Sequence, residues 1–520
     1  MIFPKMGIDA IKGVIPGVNF VEWAKAVGRP GWHAALLLIP IIQFFVFAGL
    51  CIELVRSFGK MAFWHSFLGV VMPPAMIYLI LKDPKSKFEG PYVTNYNNYL
   101  AEVKEAKDSG KERAYNKLVS NNPYKKSVGR EWVESIIFAV FAAAFIRMFL
   151  IEAFVIPTPS MENSLNVGDY LFVSKAHYGI RTPMTVAMFP LLHNRLPIFN
   201  KESYLKKPSL PYYRLPSIES IKRNKPIVFN WPIGDSVYIT SRRSYAVSQV
   251  TRNPYFAASD RELKNKIAKK DYVVRPIDKK DHYIKRCVAM PGDSLQIIDR
   301  QIYINGKKGE NPSKMQFMYQ VSIPPNQNLK RLDDWGIDVK RNIENRQAQE
   351  IQGTITGRFF LYQEQVDNLK SMGGEIKVVP IPNKSEGNKL FPHNSKLFSN
   401  WTVDDYGPIW IPKKGSTIEL NAKNLAMYDR VIGVYEGNDL KIKNGNAIIN
   451  GTPASQYTFK QDYYWAMGDN RHNSEDSRMW GFVPHDHIVG KPLFIWWSTK
   501  YGSFTNGVNW DRIFKSASAM

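Results

Sequence analysis

The chain has 520 residues, with 69 Lys and Arg against 46 Asp and Glu, and its hydrophobic fraction of 44% excludes a disordered protein. At roughly 150 residues per domain, this length predicts two or three domains. A mean hydropathy of −0.28 excludes a transporter that fills its whole length with membrane spans. The net charge of +23 fits a nucleic acid, an anionic membrane or an acidic substrate as partner, so its location along the chain matters.

The cysteines and histidines form no metal-binding pattern. Cys51 and Cys287 are the only two cysteines and lie in unrelated segments, so a disulfide between them is not expected. His485 and His487 are close together, but no C-x-x-C or H-E-x-x-H motif accompanies them. The sequence therefore predicts no metal site and no cofactor.

Three apolar segments, residues 34–55, 62–81 and 133–156, approach the roughly 20 residues that cross a bilayer, and each is predicted to span a membrane. Pro73 and Pro74 interrupt the second segment, for which a buried hairpin helix is the alternative. Residues 1–33 lack the apolar core of a signal peptide and are predicted to lie along the membrane surface.

The charges between these segments predict their orientation. Residues 82–131 carry 11 Lys and Arg, whereas residues 56–61 carry only Arg56 and Lys60. By the positive-inside rule, the long loop is cytoplasmic and everything after residue 156 is external. The sequence thus predicts an external domain of about 360 residues held by several membrane helices.

Short β-branched or aromatic runs bounded by Gly, Pro or Asn predict that the external domain is mainly β. The predicted strands cover residues 170–174, 226–229, 282–288, 301–304 and 447–449. Asn305-Gly306 and Asn450-Gly451 are typical of two-residue hairpin turns. One helix is predicted over residues 359–372, ended by Gly373-Gly374, and residues 178–225 and 310–415 read as surface insertions.

The first candidate for chemistry follows the third apolar segment. Residues 154–162 read Phe-Val-Ile-Pro-Thr-Pro-Ser-Met-Glu, in which Pro157 and Pro159 favour an extended backbone next to the membrane. Ser160 lies in this stiff stretch. Such a serine is a nucleophile if a base lies nearby, and otherwise it is an ordinary loop residue.

The second candidate is the strand that contains Lys285. Strand alternation places Lys285 on one face with Tyr283 and Cys287, which suits partial burial. Burial lowers the pKa of a lysine from about 10.4 toward neutrality, and a neutral lysine can act as a general base without a histidine. The alternative is a solvated lysine on an edge strand.

The third candidate is the polar segment 467–484, which begins Met-Gly-Asp-Asn-Arg-His-Asn-Ser-Glu-Asp-Ser-Arg. Its density of Asp, Asn, Ser and Arg predicts a hydrogen-bonded loop that stiffens something near it. A purely structural ion pair, for instance Asp476 with Arg478, is the alternative.

Together these three elements resemble bacterial type I signal peptidase, also called leader peptidase. The resemblance covers residues 147–182, 281–293 and 462–498, and the last of these is the most specific. It implies a Ser-Lys serine endopeptidase with Ser160 as nucleophile and Lys285 as general base. It also implies that Thr158 helps to hold the oxyanion and that Ser474 orients the Lys285 amine.

Further roles follow from the same resemblance. Asp476 and Arg478 match an ion pair that supports the site. Six residues match the walls of shallow pockets for small side chains: Phe154, Ile156, Met161, Leu165, Tyr283 and Ile284. The chain departs from the family at His472, where Asp is usual, which leaves the role of that position open.

The apolar segments and the resemblance together divide the chain into predicted domains. Residues 1–33 form the interfacial segment, and residues 34–156 form the membrane region. The catalytic core comprises residues 157–298 and 461–520. Residues 299–460 form a second β-rich region that contains the insertion 310–415. The fold class is thus a mainly β external domain anchored by N-terminal transmembrane helices.

The predicted function is removal of signal peptides from exported preproteins at the external face of a bacterial cytoplasmic membrane. The partners are then preproteins and the lipid bilayer, with no nucleic acid. Residues 157–520 carry about +17 of the net charge, which favours attraction to anionic lipid headgroups. The alternatives are a noncatalytic membrane scaffold and a soluble self-cleaving repressor. The S-x-x-K match at Ser203 and Lys206 lacks the companion motifs of penicillin-binding enzymes.

Overall fold

The computed structural model describes residues 2–39, 42–192, 194–196, 202–253, 255–325, 327–373, 375–383 and 389–518. The chain forms two compact units, Met1–Val140 and Phe141–Met520. The first is helical and the second is mainly β.

The first unit contains a series of helices. They are α1 (Val18–Ala26), α2 (Ile42–Ser57), α3 (Phe63–Val71), α4 (Pro73–Lys82), α5 (Tyr92–Asp108) and α6 (Glu112–Ser120). Helix α7 (Val128–Phe149) begins in the first unit and ends in the second.

The prediction of three membrane spans is not supported. Within the described ranges, α7 is the one helix long and apolar enough to cross a membrane. Helix α2 has 16 residues and is preceded by a separate 3-10 turn, Gly31–Leu38, while residues 40 and 41 lie outside the described ranges. The segment 62–81 is two short helices, because the chain leaves the helical conformation at Met72, directly before Pro73.

The predicted third helix is also too long at its C-terminal end. Helix α7 ends at Phe149, and Ile151–Val155 forms strand β1 of the second unit. Val, Ile and Phe are as apolar in a strand as in a helix, so composition alone did not mark the boundary. This strand leads the chain directly into the Ser160 segment.

Among its described residues, the second unit has 22 further strands. They are β2 (Asp169–Ser174), β3 (Pro226–Asn230), β4 (Ser236–Ile239), β5 (Ser244–Ala246), β6 (Val273–Val274), β7 (His282–Ala289), β8 (Ser294–Ile298), β9 (Gln301–Ile304), β10 (Lys307–Lys308), β11 (Phe317–Ile323), β12 (Ala348–Ile351), β13 (Thr354–Leu361), β14 (Lys377–Pro380), β15 (Tyr406–Trp410), β16 (Thr417–Glu419), β17 (Leu440–Lys443), β18 (Asn446–Ile449), β19 (Thr452–Ala454), β20 (Gln456–Thr458), β21 (Tyr463–Met467), β22 (Val483–Pro484) and β23 (Ile488–Ser498). Its helices are α8 (Val247–Arg252), α9 (Tyr255–Ser259), α10 (Arg261–Ala268), α11 (Leu329–Asp334), α12 (Val339–Glu344), α13 (Gln363–Ser371), α14 (Ala422–Arg430) and α15 (Ser477–Trp480).

A seven-stranded sheet in the order β1-β2-β23-β3-β7-β21-β22 forms the centre of this unit. Alternate residues of its strands pack into two different hydrophobic clusters. Val228 of β3 belongs to one cluster with Met161 and Leu171, whereas Ile227 and Phe229 belong to the other. The sheet is therefore covered on both faces, which holds β7 and the loop after β21 in fixed positions.

The remaining strands form smaller sheets, in the orders β10-β9-β8-β15, β12-β13-β11-β14, β17-β18-β19, β5-β4-β6 and β16-β20. All five predicted strands are present. Both Asn-Gly turns join paired strands, with positive φ at both residues of each turn, as this type of hairpin requires.

The helix predicted over residues 359–372 was wrong at its start. Residues up to Leu361 continue strand β13, and α13 begins at Gln363, because Phe359 and Leu361 fill a core that the sheet provides. Gly373 has a positive φ just after the helix, and residue 374 lies outside the described ranges.

Candidate active site

Ser160 lies where the chain turns out of strand β1. Pro157 and Pro159 flank Thr158, and a single 3-10 turn, Pro159–Met161, follows. Met161 is fully buried and anchors this turn in the core beneath the sheet. Ser160 itself is 8% exposed. The local sequence thus produces a stiff, well-anchored turn that holds the serine hydroxyl in one place.

Lys285 lies in the middle of β7, opposite Ile227 of β3. It is 3% exposed, and its Nζ lies 2.7 Å from Ser160 Oγ. Nζ also donates a hydrogen bond to the Ile284 carbonyl at 2.9 Å and lies 5.5 Å from the centre of the Tyr283 ring. The structure therefore brings together the two residues to which the sequence assigned nucleophile and base.

Burial lowers the pKa of Lys285 to about 8, although the nearby carboxylates of Asp476, Glu475 and Asp469 partly oppose this shift. At neutral to mildly alkaline pH, a useful fraction of such a lysine is uncharged. An uncharged amine has a lone pair that can accept the serine proton.

The loop 468–478 fixes the backbone of the serine turn. Asn470 donates from its backbone N–H to the Ser160 carbonyl at 3.1 Å and from its side chain to the Pro159 carbonyl at 3.2 Å. A Cβ at Gly468 would lie 2.5 Å from the Ser160 carbonyl oxygen and 2.2 Å from Ser474 Oγ. Gly468 therefore permits an approach of loop and serine turn that any side chain would prevent.

The predicted ion pair is present at the end of this loop. Asp476 and Arg478 are buried, with Arg478 Nη2 at 2.7 Å from Asp476 Oδ2. Burial opposes the ionisation of Asp476, but the Arg478 guanidinium outweighs it and holds the pKa of that carboxyl below its usual value. Arg478 also donates to the Arg471 carbonyl at 2.8 Å, which closes the loop on itself.

A second buried ion pair was missed by the sequence analysis. Arg286 Nη2 lies 2.5 Å from Asp469 Oδ2, and Ser164 Oγ donates to the same carboxylate oxygen at 2.6 Å. The pair joins β7, the loop and the serine segment. The sequence signal for this pair was Arg286 itself, a charged residue in a strand whose neighbours are mostly apolar. A buried arginine needs a hydrogen-bond partner, so a nearby carboxylate could have been expected.

Two predicted site residues make fewer contacts than their assigned roles require. Ser474 Oγ is buried and makes no hydrogen bond to Lys285, so its orienting contact is not formed here, and the hydroxyl interacts with the Asp476 carboxylate instead. Thr158 is exposed and borders the same cavity as Ser160. Its role as an oxyanion donor stays a prediction.

A cavity of about 630 Å³ lies over the Ser160–Lys285 contact. Five of the six predicted pocket residues line it: Phe154, Ile156, Met161, Tyr283 and Ile284. Leu165 is fully buried in the core and is not among the described lining residues. The cavity wall also includes residues that the sequence analysis did not assign, among them Arg243 and Glu475, which form an ion pair of 2.8 Å.

A buried lysine in contact with a serine hydroxyl, next to an open cavity, is an arrangement suited to a serine hydrolase. The family model described as "Signal peptidase, peptidase S26" matches residues 129–368 and 414–497. A second model, a family of unknown function (DUF5684), matches residues 11–91.

Curated relatives agree with the first match. Signal peptidase I of Rickettsia massiliae (strain Mtu5) is 22% identical over 384 residues, 74% of this chain and 85% of that protein. Signal peptidase I of Buchnera aphidicola subsp. Schizaphis graminum (strain Sg) is 26% identical over 400 residues, 76% of this chain and 84% of that protein. Signal peptidase I of Aquifex aeolicus (strain VF5) is 50% identical over 50 residues, 10% of this chain and 20% of that protein. The chain belongs to the signal peptidase family, peptidase S26, as a type I signal peptidase.

Proposed function

We propose that this chain removes signal peptides from exported preproteins with Ser160 as nucleophile and Lys285 as general base. The observation that carries the proposal is the 2.7 Å contact between Lys285 Nζ and Ser160 Oγ under an open cavity. The alternative of a noncatalytic scaffold would not need a buried lysine held against a serine.

In the first half of the reaction, Ser160 Oγ attacks the scissile carbonyl carbon while its proton passes to neutral Lys285. The tetrahedral intermediate then collapses, the C–N bond breaks, and the Lys285 ammonium protonates the leaving amine. This leaves the signal peptide as an ester on Ser160.

In the second half, water attacks the ester carbonyl while Lys285 accepts a proton from the water. Collapse of this intermediate breaks the bond to Ser160 Oγ, which takes the proton back from Lys285. One residue serves as base and then as acid in each half, which suits a pKa near the working pH.

The backbone N–H of Ser160 and the Thr158 hydroxyl are the proposed donors to the oxyanion. The Ser160 N–H is positioned because Asn470 holds the carbonyls of Ser160 and Pro159. In other serine proteases one such donor is worth roughly 3–4 kcal/mol of transition-state stabilisation. For Ser474, a rotation of its hydroxyl from Asp476 toward Lys285 would supply the orienting contact.

The substrate is proposed to bind as an extended strand between the Ser160 segment and β7. Strand β21 pairs with β7 over Arg286–Ala289, and the preceding residues Tyr283 and Ile284 line the cavity. An extended peptide there would pair with backbone and place alternate side chains in the cavity. Small side chains before the cleaved bond are the preference that the family implies.

Helix α7 is the proposed membrane anchor. Its 22 residues suffice to cross the hydrocarbon layer, and the basic segment 82–131 ends in its first turn. By the positive-inside rule, the second unit would lie on the external face of the cytoplasmic membrane. The domain boundaries predicted within this unit, at residues 298 and 460, likewise stay predictions.

The deciding experiment is cleavage of a purified preprotein by the full-length protein in detergent, with Ser160→Ala as the comparison. Wild-type protein should release the mature chain, and the variant should release none above background while keeping the same unfolding temperature. Equal cleavage by the folded variant would remove Ser160 from the reaction. Absence of cleavage by wild-type protein in detergent and in vesicles would favour the scaffold.

A further inference from the structure

Residues 369–413 lie in the gap between the two parts of the chain that the signal peptidase family model matches. Within this segment, residues 375–383 and 389–413 are described together with 369–373. Instead of extending into solvent, the segment contacts the loop 468–478. Phe391 donates from its backbone N–H to the Arg478 carbonyl at 2.8 Å, and Asp404 contacts His472.

His472 is one position at which the chain departs from the family pattern, and its imidazole is wholly buried. Nδ1 accepts a hydrogen bond from the Met318 backbone N–H at 3.2 Å. Nε2 lies 2.6 Å from Asp404 Oδ1. Because Nδ1 accepts a hydrogen bond, Nε2 carries the proton and donates a hydrogen bond to the Asp404 carboxylate. The imidazole is thus held by the Met318 backbone at one nitrogen and by Asp404 at the other.

Asp404 is itself firmly held. It is 7% exposed, and its second carboxylate oxygen accepts from the Asn383 backbone N–H at 3.1 Å and from Arg300 Nε at 3.3 Å. Arg300 also donates from its backbone N–H to the Asp404 carbonyl at 2.9 Å. The carboxylate is thus a rigid acceptor for the His472 proton.

The loop that carries His472 leads directly to the chemistry. Asn470, two residues before it, holds the Ser160 and Pro159 carbonyls, and Ser474, two residues after it, lies against Gly468. His472 also lines the cavity over Ser160. A shift of His472 would therefore move the groups that position the nucleophile.

We propose that Asp404 is a positioning residue of the active site, which acts through His472 to fix the loop 468–478 and hence the backbone of Ser160. It deepens the function proposed above and depends on it. The described part of the segment 369–413, which the family model does not match, would then contribute to the support of the site. This role also explains a histidine at position 472, because an aspartate side chain there could not donate a hydrogen bond to the Asp404 carboxylate.

The test compares Asp404→Ala, Asp404→Asn and the control Asp405→Asn in full-length protein, with kcat and KM measured on one preprotein. Asp405 is the adjacent carboxylate, is exposed, and accepts the Asp299 backbone N–H. Misplacement of catalytic groups lowers kcat more than binding, so Asp404→Ala should lose about tenfold in kcat with KM changed less than about twofold. Asp404→Asn keeps an acceptor oxygen and should fall between Asp404→Ala and wild type, while Asp405→Asn should match wild type.

A double-mutant cycle with His472→Ala separates positioning from general stability. If Asp404 acts through His472, the double variant should be no slower than the slower single variant. Additive losses in kcat, or wild-type kcat in folded Asp404→Ala, would overturn the proposal. A fall in activity that matches the unfolded fraction of every Asp404 variant would overturn it as well.

Hydrogen exchange provides a readout that does not need turnover. Asp404→Ala should accelerate exchange of the amides of Asn470 and Arg471, and Asp405→Asn should not. Unchanged exchange in this loop would contradict the proposal even if activity falls. Inactive wild-type protein with the expected exchange pattern would instead defeat the proposed function and leave the contact between Asp404 and the loop intact.

Discussion

Two buried lysines, Lys280 just before β7 and Lys285 in the middle of that strand, both have a lowered pKa but lie in different surroundings. Lys280 and Lys285 are each 3% exposed, and burial lowers the pKa of each to about 8. Lys280 Nζ lies 2.9 Å from His487 Nε2 and donates to the Pro232 carbonyl at 3.3 Å. Lys285 instead meets a serine hydroxyl next to the 630 Å³ cavity.

The difference shows that a lowered lysine pKa is not by itself a catalytic feature. His487 Nδ1 faces Asp486 at 2.6 Å, so Nε2 is the acceptor and Lys280 is a structural donor inside the protein. What distinguishes Lys285 is a hydroxyl that can be deprotonated and space for a substrate beside it. The comparison can be tested by changing one lysine at a time.

The largest expected effect comes from exchanging each lysine for methionine. Lys285→Met removes the proposed base and should lower kcat by about 10²–10⁴-fold. Lys280→Met leaves the His487 acceptor without its donor, which should cost about 1–3 kcal/mol of unfolding free energy and leave kcat nearly unchanged. Preprotein cleavage and chemical denaturation measure the two effects, and equal kcat losses would show that the two lysines do not differ in role.

The next largest expected effect is on kcat when the proposed oxyanion donor Thr158 loses its hydroxyl. Thr158→Val removes a hydroxyl while keeping the shape of the side chain, and loss of one oxyanion donor lowers kcat by about 10²-fold or more. KM should change little, because the donor acts mainly in the transition state. Thr158→Ser keeps the hydroxyl and serves as the control. Equal kcat for Val and Ser variants would mean that the Thr158 hydroxyl is not used.

The sequence predicted the parts of the site that depend on local spacing. Strand alternation placed Lys285 on the same face as Tyr283. The two prolines around Thr158 predicted a stiff, extended segment, and the structure keeps Thr158 extended but turns residues 159–161 into a 3-10 turn. Partners far apart in the chain were not predictable in this way. Asp404 is 68 residues from His472, and Arg286 is 183 residues from Asp469, so only the fold brings them together.

The predicted membrane region, residues 34–156, shows the opposite case, in which a strong local signal was too coarse. Apolar composition predicted helices over residues 62–81 and 133–156. The structure divides the first before Pro73 and ends the second at Phe149. Apolarity reports burial or contact with lipid, and it does not specify where a helix stops or a strand begins.

A smaller effect is the pH dependence of kcat/KM, which should change about tenfold per pH unit and should depend on Lys285 but not on Lys280. Lys285 must be neutral to accept a proton, so kcat/KM should rise with pH and level off above about 8.

The same two lysines also affect stability, because each has a pKa of about 8 in the folded protein against 10.5 as its ordinary value. Between about pH 8 and 10.5 the unfolded chain therefore binds more protons than the folded protein, and the free energy of unfolding should rise with pH in that window. Lys280→Met should alter the pH dependence of unfolding and leave the kcat/KM profile unchanged. A profile that is flat from pH 6 to 9 would contradict the assignment of Lys285 as base.

The smallest expected effect tests how the Lys285 amine is oriented. Ser474→Ala should lower kcat by less than about tenfold, because Lys285 keeps its contacts to Ser160 Oγ and the Ile284 carbonyl when the Ser474 hydroxyl is removed. The variant also loses the interaction of the buried Ser474 hydroxyl with Asp476, which should cost about 1–3 kcal/mol of unfolding free energy, so kcat is compared in the folded protein. Ser474→Thr keeps the hydroxyl and is the matched variant. A wild-type rate for Ser474→Ala would show that the two contacts already present orient Lys285, as the two contacts of Lys280 orient that lysine without a serine.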